Sequence, residues 1–273
     1  MGDTSKFRLT IAYDGTAYEG WQVQKIGLGV QQKVEEALAK LFPSHPRVHS
    51  SSRTDTGVHA LGMVAHFDVP RSECTMTARK LALAVNAWLP EDVRVLSATR
   101  ARAEFHARFD ATGKQYRYFI WNHPAMNPLA RQSAWHVPRP LDLTAMRAAA
   151  RLFLGQHDFQ SFAANPGYAK ATTVRTLTRC DLKRSGQMLT VIIEGDGFLY
   201  KMVRLLTGSL VRCAQGRAEL AWLAGLLTGR HSKSSFAAPA DGLYLVRVRY
   251  SAAHPATASP RSSPGPASRL PSA

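Results

Sequence analysis

The chain has 273 residues, 45% of them hydrophobic, and its 35 Lys and Arg against 19 Asp and Glu give a formal net charge of +16. Apolar material suffices for one large core or two ordinary ones, but no run reaches the roughly eighteen residues of a membrane span, and the N-terminus lacks the apolar centre of a secretory signal. Cys74, Cys180 and Cys213 are odd in number and widely spaced, which argues against zinc ligation and for reduced thiols in a cytoplasmic protein.

Phe7, Leu9, Ile11 and Tyr13 alternate with Arg8, Thr10 and Ala12, the period of a half-buried strand, and Asp14-Gly15 ends it. Residues 18–29 are aromatic, polar and glycine-rich, hence a loop. Its Trp21 either closes the core beneath or, with Gln22, meets a nucleotide. Val30, Val34, Leu38 and Leu41 recur at helical spacing, so 30–42 is an amphipathic helix stopped by Pro43. The polar segment Ser50 to Ala60 then leads into a strand carrying Met63, Ala65, Phe67 and Val69. Residues 77–88 read as a helix with Leu81, Val85 and Trp88 facing inward, and 93–97 as a strand.

The second half repeats this plan loosely. Residues 114–121 form a strand on which Tyr116, Tyr118 and Ile120 share a face, and an aromatic placed there is ordinarily core. A proline-punctuated connector follows. Next come a helix at 143–154 facing inward through Met146, Ala149, Ala150 and Phe153, and a hairpin of strands 173–182 and 188–194 about Ser185-Gly186. Residues 198–215 read as a helix with an apolar stripe flanked by Lys201, Arg204 and Arg212, 219–227 as another helix, and 242–250 as a final strand. From Ser251 onward Pro, Ser and Ala dominate and Leu270 is the single bulky apolar residue, so a disordered tail is expected.

Charge is unevenly spread. Residues 1–110 hold 14 basic and 12 acidic side chains, whereas residues 111–250 hold 19 and 7. A folded, strongly basic second half points to a polyanionic partner, and nucleic acid fits better than a membrane surface.

The segment 50–60, Ser-Ser-Ser-Arg-Thr-Asp-Thr-Gly-Val-His-Ala, draws the most attention. Arg53 and Asp55 lie two apart, so in an extended segment both side chains leave on one side and can pair, and Gly57 permits a turn that keeps the carboxylate accessible. By itself that pattern also describes a surface ion pair that merely fixes a loop. His59, His66, His157 and His231 have no ligand spacing and read as structural histidines with satisfied hydrogen bonds.

Arg-Thr-Asp-Thr-Gly-Val-His-Ala at 53–60 resembles the catalytic motif of the tRNA pseudouridine synthase A family. Further matches run in order along the chain: Tyr-Asp-Gly-Thr-Ala-Tyr-Glu-Gly-Trp-Gln at 13–22, Lys-Gln-Tyr-Arg-Tyr at 114–118, His-Asp-Phe-Gln-Ser-Phe at 157–162, Phe-Leu-Tyr-Lys-Met-Val-Arg at 198–204 and Ala-Pro-Ala-Asp-Gly-Leu-Tyr-Leu at 238–245. Two departures from the family pattern are Ser51-Ser52 before Arg53 and the pair Tyr200-Lys201.

The resemblance implies an α+β protein of two ferredoxin-like α/β-sandwich halves, residues 1–106 and 107–250, forming a pseudouridine-synthase-type core. It implies isomerisation of uridine at positions 38, 39 and 40 in the anticodon arm of tRNA, by a homodimer with tRNA lying across both subunits. Asp55 would be the catalytic carboxylate, Arg53 its partner and a filler of the gap left by an extruded base, Tyr116 the residue stacked on uracil, and Arg204 a cation near the carboxylate. No cofactor, metal or membrane is called for, because the reaction changes no composition. A silent RNA-binding protein on the same scaffold and a base-excising glycosylase are the alternatives.

Overall fold

The computed structural model describes residues 3–24, 26–165, 172–229, 234 and 236–251. All but Ser251 of the tail expected to be disordered lies outside these residues, as does His231.

The first half runs β1 (Thr4–Tyr13), α1 (Val30–Ala39), β2 (His49–Ser50), β3 (His59–Pro70), α2 (Ala78–Asn86) and β4 (Val93–Ala101). The second runs β5 (Ala111–Trp121), β6 (Trp135–His136), α3 (Leu143–Leu152), β7 (Gly155–Asp158), β8 (Val174–Ser185), β9 (Met188–Gly195), α4 (Met202–Ala214), α5 (Leu220–Leu227) and β10 (Leu243–Tyr250). The class is mixed α+β, as expected.

All the described strands join one sheet in the order β4-β1-β3-β10-β5-β9-β8-β7, with β2 added beside β3 and β6 beside β5. Phe7, Leu9, Ile11 and Tyr13 of β1 all point into the core, and Phe7 stacks on Phe67 of β3 at 5.6 Å between ring centroids. The strand that unites the halves is the last one. β10 runs antiparallel to β5 and parallel to β3, the latter only through Tyr244 beside His59 and Leu245 beside Ala60. β10 thus clamps the first two residues of β3, just where the Asp55 loop enters the sheet.

Helix faces follow the apolar spacing. Val30, Val34, Ala37 and Leu38 of α1 are buried, as are Leu81 and Val85 of α2, whose first turn is capped by the Thr77 hydroxyl. Trp88 departs from its expected inward place. α2 ends at Asn86, so Trp88 falls off the Leu81–Val85 stripe, is 57% exposed and lies beneath the Lys40 ammonium.

α4 is buried almost all round, and Gly208 allows this, since a Cβ there would meet the Phe236 carbonyl oxygen at 2.1 Å. The helix begins at Met202 rather than at the expected Phe198. Lys201 adopts a left-handed conformation with φ 58°, which breaks the helical run and turns residues 198–201 into the edge of a cavity.

Candidate active site

Residues 51–58 connect β2 to β3 and form a rigid loop because neighbouring backbone holds it at several points. The Ser51 N–H donates to the Val64 carbonyl at 2.8 Å, the Trp21 N–H to the Thr54 carbonyl at 3.2 Å and the Gly57 N–H to the Tyr18 carbonyl at 3.2 Å. Thr54 also shares a buried 2.7 Å hydrogen bond with the Tyr13 hydroxyl. Residues 13–22 therefore lie directly under the loop, and glycines make the approach possible. A Cβ on Gly15 would sit 2.1 Å from the Val58 carbonyl oxygen, and one on Gly20 would sit 2.4 Å from that of Thr54. Trp21, at 1% exposure, closes the core and offers no face to a nucleotide.

Asp55 faces a cavity of about 820 Å³. Its carboxylate pairs with Arg204, whose Nη1 lies 3.4 Å from Oδ2, and the two side chains are only 14% and 16% exposed. The guanidinium is braced from behind, since Arg204 Nε donates to the Ala238 carbonyl at 2.7 Å. The expected Arg53–Asp55 pair is not formed. Residues 52–55 join no ladder, so the alternation of an extended strand does not govern them, and Arg53 turns outward onto the cavity rim. Burial raises the Asp55 pKa above the ordinary carboxyl value, while the charge and hydrogen bond of Arg204, and then the charge of Lys201, oppose that rise.

Tyr116 reaches the same cavity from the centre of β5. Its ring is 8% exposed and meets Phe198 edge-on at 5.0 Å. Burial pushes the phenol up to about 12; the nearby Ser52 hydroxyl pulls it down, and the Asp55 charge raises it. Ser52 Oγ nonetheless forms no geometrically complete hydrogen bond, leaving a buried hydroxyl facing the site. Asp55, Tyr116 and Arg204 thus converge from a loop, a strand and a helix start.

The family described as tRNA pseudouridine synthase matches residues 9–110 and 149–251. The chain belongs to the tRNA pseudouridine synthase family. Among its relatives, a protein named tRNA pseudouridine synthase A from Syntrophotalea carbinolica is 46% identical over 247 residues, 90% of this chain and 96% of that one. Proteins of the same name from Pelobacter propionicus and Methylacidiphilum infernorum are 45% and 42% identical, each over 89% of this chain and over 98% and 95% of their own.

A tRNA pseudouridine synthase is an isomerase, and the remaining side chains can be sorted by what they offer one. Lys114 Nζ donates to the Ser51 carbonyl at 2.8 Å, and burial, with help from Arg108 and Arg175, brings its pKa down to about 8. Lys114 sits two residues before Tyr116 on the same strand, so alternation puts both on one sheet face, and the structure shows that both line the cavity. Phe198 and Lys201, also on the cavity wall, fall within the 198–204 motif, but nothing in the sequence indicates the left-handed turn that aims Lys201.

The described histidines that were expected to be structural all bond to backbone. The His59 ring accepts from the Gly15 N–H at 3.1 Å, donates to the Asp241 carbonyl at 3.0 Å and stacks on Tyr244. His66 accepts from the Ala107 N–H, and His157 donates to the Leu154 carbonyl. Among the described residues, no group of three or more His, Cys, Asp or Glu is placed to hold a metal ion.

Proposed function

We propose that this member of the pseudouridine synthase family converts uridine to pseudouridine in tRNA at positions 38, 39 and 40 of the anticodon arm, with Asp55 as the reacting carboxylate. The observation that carries this reading is Asp55, paired with Arg204, on the wall of a cavity shared with Tyr116. In the reaction the bond from ribose C1′ to uracil N1 breaks, the base turns and C1′ joins C5. C5 gives up a proton and N1 gains one, so composition is unchanged.

The step needs one desolvated, ionised carboxylate that attacks C1′ or C6 or takes a proton from the sugar. Arg204 and Lys201 favour that ionised form against the cost of burial. The uridine must leave its stack, at a cost of a few kcal/mol. Contact of the base with Tyr116 offsets about 1 to 3 kcal/mol of this. The Tyr116 phenol, held neutral by burial, is a hydroxyl able to relay the C5 proton. Arg53, at the rim and not paired with Asp55, is free to fill the vacated place in the RNA.

Residues 1–106 and 107–250 act as two domains on one sheet, the second supplying most of the charge that tracks phosphates. We assign the protein to the cytoplasm and to a homodimer that receives tRNA across both subunits; three buried free thiols suit that compartment.

Mapping pseudouridine in total tRNA from cells with and without the protein, alongside an Asp55→Asn variant, tests the reading. Modification at the three positions with the wild type and none with the variant is the expected result. A free uracil product, or full modification by the variant, would overturn it.

A further inference from the structure

We propose that Phe109 is a base-stacking platform for a nucleotide adjacent to the target uridine, one left without a neighbour when that uridine is extruded. The inference rests on the pseudouridine synthase reading and concerns the same cavity.

Phe109 is 75% exposed, yet it lies on the wall of the cavity that holds Asp55. Single exposed apolar side chains are common on protein surfaces and need no explanation. What sets this one apart is rigidity. The Arg108 and Phe109 N–H groups both donate to His106 Nδ1, at 3.1 and 3.3 Å, the Asp110 N–H donates to the His106 carbonyl at 3.1 Å, and the His106 N–H donates to an Asp110 carboxylate oxygen at 3.0 Å.

That turn lays the Phe109 ring on the His106 ring, with centroids 4.2 Å apart and planes inclined by 31°. His106 in turn meets buried His66 edge-on at 4.7 Å, and His49 stacks on His66 at 5.2 Å. Phe109 is therefore the outermost ring of an aromatic series anchored in the core, and most of its surface is open to solvent, where a planar partner can reach it. Burial, then the neighbouring His49, lowers the His106 pKa below the ordinary imidazole value, and the two backbone N–H groups donating to Nδ1 require that nitrogen to be unprotonated.

Charge around the ring suits RNA. The Arg108 guanidinium lies 5.8 Å from the Phe109 centroid, and Arg47, Arg53 and Lys114 line the same cavity. An aromatic face ringed by cations takes a nucleobase with its phosphates, with little regard to which base it is. Phe109 is a positioning residue, since its partner is the neighbour of the reacting nucleotide.

Kinetics with an anticodon stem-loop RNA, for the wild type, Phe109→Ala and Phe109→Trp, decide the matter. Alanine should raise KM about 5- to 100-fold, the range that loss of one base stack produces, with most of the loss in KM rather than kcat, and tryptophan should restore it. A 2-aminopurine beside the target uridine should be quenched on binding the wild type and the Trp variant, and stay bright on the Ala variant.

A KM within twofold of wild type for Phe109→Ala, or equal quenching by all three proteins, would overturn the platform. So would a changed oligomeric mass of the Ala variant, which would make Phe109 a contact between copies. A wild type that binds the RNA but forms no pseudouridine would sink the functional reading alone, and the quenching comparison would still decide the platform.

Discussion

Arg204 Nη1 lies 3.4 Å from Asp55 Oδ2, although 149 positions separate the two residues. Arg53, two positions away in sequence, makes no ion pair with that carboxylate among the described residues. The cation that opposes the rise of the Asp55 pKa is thus supplied by the first turn of α4, and the pH dependence of the enzyme should report it. Burial raises the Asp55 pKa and Arg204 lowers it, so Arg204→Gln should raise it further. If the ionised form is the reactive one, as the proposed reaction requires, activity is lost as pH falls through this pKa. The acid limb of kcat/KM should therefore move to higher pH in the variant, with a larger loss at pH 6 than at pH 8. An unmoved acid limb would show that the pair does not set the charge of the carboxylate.

Arg53 should behave differently. It lines the cavity from an exposed position and is not among the groups that shift Asp55. Arg53→Ala is expected to weaken tRNA binding and to reduce the slope of log Kd against log salt by about 1, as loss of one phosphate contact does. Its acid limb should match the wild type. Filter binding across a salt series, paired with a pH profile, separates the two arginines. A displaced acid limb in Arg53→Ala would restore the pairing that the sequence alone suggests.

Tyr116 is a test of chemistry against packing. Its ring is buried against Phe198, so Tyr116→Phe keeps the shape, and its hydroxyl is all that is removed. If that hydroxyl relays a proton, turnover should drop by about 10² or more, the usual contribution of a positioned acid or base, with tRNA affinity retained. Single-turnover kinetics and a binding titration on one protein preparation give both numbers. Near-normal turnover would reduce Tyr116 to a stacking surface.

The sequence shows the local elements well because their periods are local. The alternation in β1, the Val30–Val34–Leu38 stripe of α1 and the Ser185-Gly186 hairpin between β8 and β9 each lie within a dozen residues or so, and each appears where expected. Asp55 and Tyr116 were legible as candidates from their motifs, and the structure brings them to one cavity. What stayed hidden depends on partners far along the chain. Arg204 near the carboxylate was expected from the resemblance alone, and no local pattern says that β10 slots between β3 and β5, that Arg53 is left out of the Asp55 pair, or that Lys201 leaves helical geometry. Trp88 misled for a related reason: its spacing from Leu81 suits a helix, but the helix stops two residues short of it.

The bracing of the Asp55 loop by residues 13–22 can be broken at one atom. Gly20 has φ +92°, and a Cβ there would lie 2.4 Å from the Thr54 carbonyl oxygen, in backbone that can move only by straining the bonds of Thr54 to Tyr13 and to the Trp21 N–H. Gly20→Ala therefore meets a clash and an unfavourable φ together, and conformational strain of this kind costs about 1 to 3 kcal/mol. The protein should still fold, with a melting temperature lowered by roughly 2–4 °C per kcal/mol. Strain that residue 20 does not absorb passes to the Thr54–Asp55 backbone it touches, and so to the placing of the Asp55 carboxylate against Arg204. A displacement on the order of 1 Å at a reacting group costs about a hundredfold in rate, so turnover should fall far more than stability. Calorimetry and single-turnover kinetics on Gly20→Ala test this together, and a variant with wild-type turnover would show that the glycine serves folding alone.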